Sequence, residues 1–532
     1  MIWNFDKYKE NIAFIDEYGN QMTYGQLEEF GKRLANVCSG NYEAGITESD
    51  ITETGITGLD IMDDPVAKEK KTSRCLVFCM STNSIGSAAG YAGFVNNGIV
   101  PLMLNAHMDE TLRESLIATY QPKFIWRPAE GFTEKVTEHA TDNTGVHMIA
   151  EQLEKQVPDE GQNGGQIVFK AYGYELVRTP YASDYPLYDD LCLLLTTSGS
   201  TGSPKFVRQS YTNVKSNAEA IVEYLKLDSS ERPISTLPMN YTYGLSIINS
   251  HLLVGATILL TDKGLMQKEF WSFFNDQQAT SFGGVPYTYE MLERLRFNRR
   301  DLPSLRYMTQ AGGKLSPALH EKFSGYCKEK GYRFIVMYGQ CEATARMGYL
   351  PWEKSIEKNG SMGIAIPGGK FTLIDTDGSV IDEPDVAGEL VYEGDNVTLG
   401  YATCIEDLNK GDERGGILHT GDVAKRDRDG YYYIVGRMKR FLKIYGNRVN
   451  LDEIDQLIKA DFNGIEVATS GIDDHMYIFL TDKVNAEEVR KYVIEKTKLN
   501  PAAFKTVVID EIPKNDAGKV LYRKLEEYYK RD

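Results

Sequence analysis

"LCLLLTTSGSTGSPKFVRQSY", residues 191–211, decides how the chain is read. Leu191 to Leu195 form an apolar run of strand length. Nine small or rigid residues follow, Thr196 to Pro204, and then a single cation, Lys205, before an apolar and polar alternation returns. Small residues are needed where backbone N–H groups must approach an anion, because larger side chains would block them. Serine and threonine hydroxyls add donors, and lysine adds mobile positive charge. A phosphate group would use all three, although the same composition also marks ordinary surface loops. The spacing is not that of a Walker A loop, since Ser203 and Pro204 separate Gly202 from Lys205, nor of a G-x-S-x-G elbow.

Outward from this loop, apolar strand-like runs alternate with helical segments. Thr23 and Gln26 form a capping box ahead of Leu27, Phe30, Leu34 and Val37, which recur at helical spacing. Runs at Cys75–Met80 and Ile99–Leu104, a helix capped by Asp109, and "PKFIW" continue the pattern. It resumes in "HLLVGATILLT", "ATSFGGVP", "LRYMTQAGG" and "FIVMYGQ". Such alternation implies an α/β fold with a parallel sheet and helices on its faces. After residue 365, "KFTLID", "GELVYEG" and "YYYIVG" between Gly- and Asp-rich turns predict antiparallel structure.

Length and charge narrow the field. A chain of 532 residues exceeds one hydrophobic core, so two or more domains are expected. A net charge of -17 argues against a broad nucleic-acid footprint and favours small, locally recognised ligands. Residues 440–532 carry 16 Lys/Arg and 17 Asp/Glu, so nearly all the acidic excess lies before them. The seven cysteines show no paired spacing, and neither a basic-then-apolar leader nor a membrane-length apolar run occurs, which predicts a cytoplasmic protein with free thiols. The stretch 39–74 is polar, Gly- and Thr-rich and aperiodic, and reads as a surface insertion.

Five stretches, in order along the chain, resemble the signatures of the adenylate-forming enzymes: acyl-CoA synthetases, peptide-synthetase adenylation domains and luciferases. "TSGSTGSPK" is similar to their phosphate loop, and "AGGKLSP" (311–317) to the glycine pair lining their substrate cleft. "YGQCEAT" (338–344) is similar to their Tyr-Gly-x-Thr-Glu segment. "LHTGDVAKRDRDGYYYIVGRMKRFLKIYGNRVNLDEID" (418–455) resembles their TGD and GRxDxxIKxxGxRI segments joined. "PKNDAGKVLYRK" (513–524) resembles their C-terminal Pro-Lys-x-x-x-Gly-Lys element.

The resemblance implies a large N-terminal domain, residues 1–436, of two α/β subdomains plus a β-subdomain. It implies a hinge at 437–440 and a small mobile α+β lid at 441–532. It implies attack of a carboxylate on the α-phosphorus of ATP, with Mg²⁺, to give an acyl-AMP. Transfer follows to coenzyme A or to the phosphopantetheine of a separate carrier protein. Thr197, Ser198, Gly199, Ser200, Thr201, Gly202 and Lys205 would hold the β- and γ-phosphates. Glu342 would bind the metal, Tyr338 and Gly339 would lie at the adenine, and Gly312 and Gly313 would line the cleft. Asp422 would accept from the ribose hydroxyls, with Arg437 on ribose or phosphate. Lys519, presented by a turn at Gly518, would be the adenylation catalyst beside Lys205 and Glu342. Lys439 would be the pivot, and Lys443 and Gly446 would flank the pantetheine arm.

Asn240, Tyr241, Gly244, Gly284 and Cys341 are the expected acyl pocket. Cys341 stands where the family has Thr, Phe206 where Gly is commonest, Tyr211 where His is commonest, and Asn240-Tyr241 where Phe-His is frequent. Lys439 takes the place of the usual Asp. No aspartate lies between Leu237 and His251, where amino-acid adenylation domains hold the α-ammonium, so the acid expected here has none. The competing reading is a non-catalytic nucleotide-binding member of the same fold.

Overall fold

The computed structural model describes residues 1–40, 74–129, 165–196, 205–375, 377–445, 447–462, 464–514 and 520–529. All but the ends of the expected insertion at 39–74 lies outside them. The chain forms two compact units: Met1–Phe282 with Thr398–Gly415, and Gly283–Val397 with Gly416–Asp532.

In the first unit, an eight-stranded sheet has the parallel strands Leu191–Thr196, Val100–Asn105, Leu76–Ser81 and Phe124–Pro128 at its centre. Its flanks are antiparallel: Tyr174–Arg178 and Gln166–Ala171 on one side, Phe206–Ser210 and Gly400–Ala402 on the other. The sheet is therefore mixed rather than wholly parallel, because the chain turns straight back after the Ser/Gly/Thr loop. Val77 and Cys79 enter one buried cluster, while Leu76, Phe78 and Met80 enter another. Both faces are apolar, as expected of a strand covered on both sides. A second sheet in this unit aligns Gln21–Thr23, Ile12–Asp16, Ile258–Leu260 and Pro233–Ile234. Helix Tyr24–Cys38 starts at the expected capping box of Thr23 and Gln26. Helix Ile85–Asn96 is buried from Ile85 to Val95.

The second unit pairs Tyr307–Gln310 in parallel with Arg333–Tyr338. A four-stranded antiparallel sheet follows, Lys370–Ile374, Ala387–Glu393, Ile417–Arg426 and Tyr432–Arg437, as the sequence after residue 365 predicts. The chain then passes through a short turn, Met438–Arg440, into the hairpin Phe441–Ile444/Asn447–Asn450. Helices Leu451–Asp461 and Ala486–Thr497 pack on the sheet Val467–Ile472, His475–Leu480 and Phe504–Val508. Ile454, Ile458, Ile478, Val489 and Val493 share one core drawn wholly from residues 442–504. Among the described residues no helix is long and apolar enough to cross a membrane, and all seven cysteines are free thiols.

Candidate active site

The residues expected at the phosphates lie in the first unit. Leu191–Leu195 are buried, and the strand runs to Thr196; Thr197, Ser198, Gly199, Ser200, Thr201 and Gly202 lie outside the described residues. Lys205 is exposed, with its Nζ 3.7 Å from the centroid of the Tyr401 ring. Phe206 is buried edge-on to Tyr120 with centroids 5.3 Å apart, so the bulk that replaces glycine there serves the core. The Tyr211 hydroxyl donates to Val95 O at 3.2 Å. Asn240 and Tyr241 lead into helix Thr242–Leu253, and the Tyr241 N–H donates to Pro238 O at 3.1 Å. Gly244 is required there, since a Cβ would lie 2.3 Å from Pro238 O.

The residues expected at the nucleoside lie in the second unit, where Tyr338, Asp422 and Arg437 converge. Tyr338 ends the strand Arg333–Tyr338, and its hydroxyl donates to Asp422 Oδ2 at 2.5 Å. Gln340 Nε2 donates to the same oxygen at 2.9 Å and to Thr420 O at 3.1 Å. Asp422 and Arg437 are cross-strand partners, and Arg437 Nε lies 3.1 Å from Asp422 Oδ1. Asp422 is almost fully buried, so its charge depends on these three donors. Burial first, and then the Asp422 charge, push the Tyr338 phenol well above its ordinary value. It stays protonated and donates. The role expected of Tyr338 was to set its ring at adenine; its hydroxyl has the further task of fixing the carboxylate.

A tight turn joins this network to the metal candidate. Gly339 must be glycine, since a Cβ would sit 1.6 Å from Ala345 O. Thr344 and Ala345 both take positive φ, 49° and 88°. Such backbone strain persists where the surroundings over-determine it. Glu342 is half-buried in the short turn Cys341–Ala343, and Cys341 is buried beside it. A carboxylate at a half-exposed turn suits a hard cation that keeps waters and phosphate oxygens as its other ligands. Gly312 takes φ +80°, and the Gly284 carbonyl accepts from Ala311 N at 3.2 Å, with Gly313 following.

Further along, Lys439 lies in the turn Met438–Arg440 and Lys443 in the strand Phe441–Ile444. Gly446, Gly518 and Lys519 lie outside the described residues; the flanking Lys514 and Val520 form an antiparallel bridge. Two residues here carry more than the sequence reading assigned them. Gln340 is the unspecified position of its motif, flanked by assigned residues on both sides. Arg440 is buried after the expected pivot, with Asp452 at 2.8 Å, Asp455 at 2.6 Å and the Tyr522 ring at 3.8 Å.

Comparison with known proteins identifies the family. The model of the AMP-binding enzyme family matches residues 69–402. A probable CoA ligase of Humulus lupulus is 28% identical over 354 residues, 64% of this chain and 66% of that protein. The oxalate–CoA ligase of Arabidopsis thaliana is 28% identical over 64% of this chain and 68% of its own length. The 2-succinylbenzoate–CoA ligase of Bacillus subtilis is 28% identical over 64% and 70%. These matches span about two thirds of the relatives' own length. Among solved structures, the O-succinylbenzoate coenzyme A synthetase of Bacillus subtilis with AMP superposes with a TM-score of 0.71 at 22% identity, over 98% of this chain and 97% of that one. ATP-bound MatB from Rhodopseudomonas palustris gives 0.69 at 20% identity, over 99% and 98%. The chain belongs to the AMP-binding enzyme family, the adenylate-forming enzymes of the acyl-CoA ligase superfamily.

Proposed function

We propose that the chain is an ATP- and Mg²⁺-dependent CoA ligase for a carboxylic acid that lacks an α-ammonium group. The observation that carries this reading is the Asp422 carboxylate, buried and fixed by Tyr338, Gln340 and Arg437 on the same turn-and-sheet assembly that presents Glu342. Such a carboxylate is prepared to accept from a ribose diol, because its orientation is set before the ligand arrives. Among the described residues Oδ1 has one donor, which leaves it an acceptor direction.

In the first step the substrate carboxylate attacks the α-phosphorus of ATP, the bond to the bridging oxygen breaks, and pyrophosphate leaves. Positioning and charge neutralisation carry this chemistry. Lys205 and the loop before it serve the β- and γ-phosphates, and Asp422 and Arg437 hold the ribose. Glu342 would hold Mg²⁺, which would supply charge neutralisation to the phosphates. Lys519 serves the carboxylate and the α-phosphate as charge develops between them. In the second step the thiol sulfur attacks the acyl carbon, a thioester forms and AMP leaves. Residues 441–532 act as the lid, turning about Lys439 between the steps, with Lys443 and Gly446 on the thiol side. That curated relatives are named CoA ligases supports CoA over a carrier protein.

The test is ATP–pyrophosphate exchange against a panel of mono- and dicarboxylic acids and amino acids, followed by CoA or a pantetheinylated carrier with the best acid. Exchange with an acid lacking an α-amino group and turnover with CoA are expected. Absence of acid-dependent exchange across the panel would overturn the ligase reading, and exchange with amino acids alone would overturn the substrate class.

A further inference from the structure

Two cations, one of them Lys205, converge on one aromatic ring. Lys205 Nζ lies 3.7 Å from the centroid of Tyr401, and Arg414 Cζ lies 4.7 Å from the same centroid. Arg414 Nη1 also donates to Thr398 Oγ1 at 2.6 Å. Tyr401 sits on the edge strand Gly400–Ala402, opposite Val207.

That strand is tied down from its neighbour by Arg208, which is fully buried. Its Nε donates to Tyr401 O at 3.1 Å, and its Nη2 to Leu399 O at 3.2 Å and Glu413 Oε2 at 2.5 Å. Its Nη1 reaches Gly411 O at 3.2 Å and also Lys410 O. The Glu413 carboxylate, next to Arg414 in sequence, is thereby taken by Arg208, with Lys410 at 3.9 Å. Asp412 Oδ1 accepts from the backbone N–H of Arg414 at 2.8 Å and of Gly415 at 3.1 Å. The backbone on both sides of Tyr401 and just before Arg414 is therefore fixed by buried charge.

An exposed cation gains little from a tyrosine face, and two like charges on one ring repel. A polyanion changes the balance, since both cations are then oriented in advance and the ring restricts the rotamers each must lose. The two heads are also complementary in kind: lysine offers a point charge, and guanidinium a fork that fits phosphate oxygens in pairs.

We propose that Arg414 is a second cationic contact for the polyphosphate end of ATP, and that Tyr401 is a positioning residue for both Lys205 and Arg414. The proposal rests on the reading of Lys205 as a phosphate residue. The ligand it assigns to Arg414 is the part of ATP that departs as pyrophosphate, not the part retained as AMP.

The test uses the full-length enzyme with Arg414→Met, Arg414→Lys, Tyr401→Leu and Tyr401→Phe. Four quantities are measured: KM for ATP in acyl-AMP formation, the inhibition constant of inorganic pyrophosphate, AMP affinity by calorimetry, and thioester formation from supplied acyl-AMP. Arg414→Met should raise the ATP KM and the pyrophosphate constant by about tenfold or more, while AMP affinity and the second half-reaction stay within about twofold. Arg414→Lys should recover part of the loss, Tyr401→Leu should lose less than Arg414→Met, and Tyr401→Phe should behave as wild type. Unchanged pyrophosphate inhibition in Arg414→Met overturns the proposal. Parallel loss of AMP and pyrophosphate affinity also overturns it, assigning Arg414 to holding the fold. Wild-type enzyme without any acid-dependent exchange would instead fail the ligase reading, so the two failures are told apart.

Discussion

The strand-loop-strand segment Leu191–Ser210 and the set of strands around Asp422 prepare for a ligand by opposite means. On the first, the cation is Lys205, which shares one tyrosine ring with Arg414, itself also donating to Thr398. On the second, the charge is a buried carboxylate with Tyr338, Gln340 and Arg437 already upon it. The difference follows from what each side is proposed to hold. A polyphosphate has rotatable P–O bonds, several charges and a strong hydration shell, so cations on long side chains, oriented by a ring, suit it. A ribose is neutral and stiff, and only an acceptor fixed in advance distinguishes its diol. Preorganisation comes from buried hydrogen bonds on the side proposed for the rigid ligand and from a shared ring on the side proposed for the group that leaves as pyrophosphate.

The largest effect that tests this contrast is expected from Lys519→Ala. Acyl-AMP formation should fall by about 10²–10³, the range seen when one developing-charge donor is removed. Thioester formation from supplied acyl-AMP should remain, and equal loss in both half-reactions would make Lys519 a structural residue.

Lys439→Pro comes next. Arg437 is anchored to Asp422 and Arg440 to Asp452 and Asp455, so the proposed pivot lies between two anchored cations, where rotation would concentrate. Proline fixes φ and removes an N–H. Thioester formation should drop on the order of 10²-fold, as misplacement of about 1 Å can cost, while acyl-AMP formation persists. A folded variant with both half-reactions at wild-type rates would end the domain-alternation reading.

Asp422→Ala should weaken ATP binding by about 10- to 100-fold, given roughly 1.5–3 kcal/mol for a hydrogen bond to a charged group. Calorimetry with ATP and AMP should show the same loss for both, in contrast to Arg414→Met. Gln340→Leu should act in the same direction but more weakly, about 5- to 10-fold in ATP KM. It should also narrow the discrimination between ATP and 2′-deoxy-ATP, a readout that simple loosening of the fold would not change.

The last expected effect concerns stability alone. His320 is buried, accepts from Gly360 N at Nδ1 (3.0 Å), and has Nε2 3.0 Å from Ser355 Oγ. Burial lowers its pKa from 6.5 to about 4. The neutral ring's contribution is therefore whole above pH 6.5 and is lost as pH falls through the window toward 4, with a ceiling of roughly 3 kcal/mol. Thermal unfolding followed between pH 7 and 4 should show the decline, and His320→Gln should flatten it. A wild-type profile as flat as the variant's would remove His320 from that role.

The sequence was most informative where pattern is local. Thr23 and Gln26 announce a helix because both cap partners lie within four residues. The antiparallel strands after residue 365 are legible because their turns are rich in Gly and Asp. By contrast, an apolar run such as Leu191–Leu195 says nothing about its neighbour's direction, so the antiparallel return of Phe206–Ser210 was not foreseen. The Asp422 network joins residues 82 and 84 positions apart, and only the motif context brought Asp422 and Tyr338 together; Gln340, the motif's open position, had no such marker. Arg208 and Arg414 look like ordinary charges until folding shows what they meet.

Arg208 also sets a timetable for biosynthesis. Its carbonyl and carboxylate partners on Leu399 and Glu413 lie 191 and 205 residues downstream. At roughly 5–20 residues per second, a ribosome makes that stretch in about 10–40 seconds. Throughout that interval the nascent first unit carries a guanidinium with none of these native acceptors, beside the strand Phe206–Ser210, whose outer edge awaits Gly400–Ala402. Chaperone occupancy and misassembly on the ribosome should therefore concentrate between the emergence of residue 282 and that of residue 413.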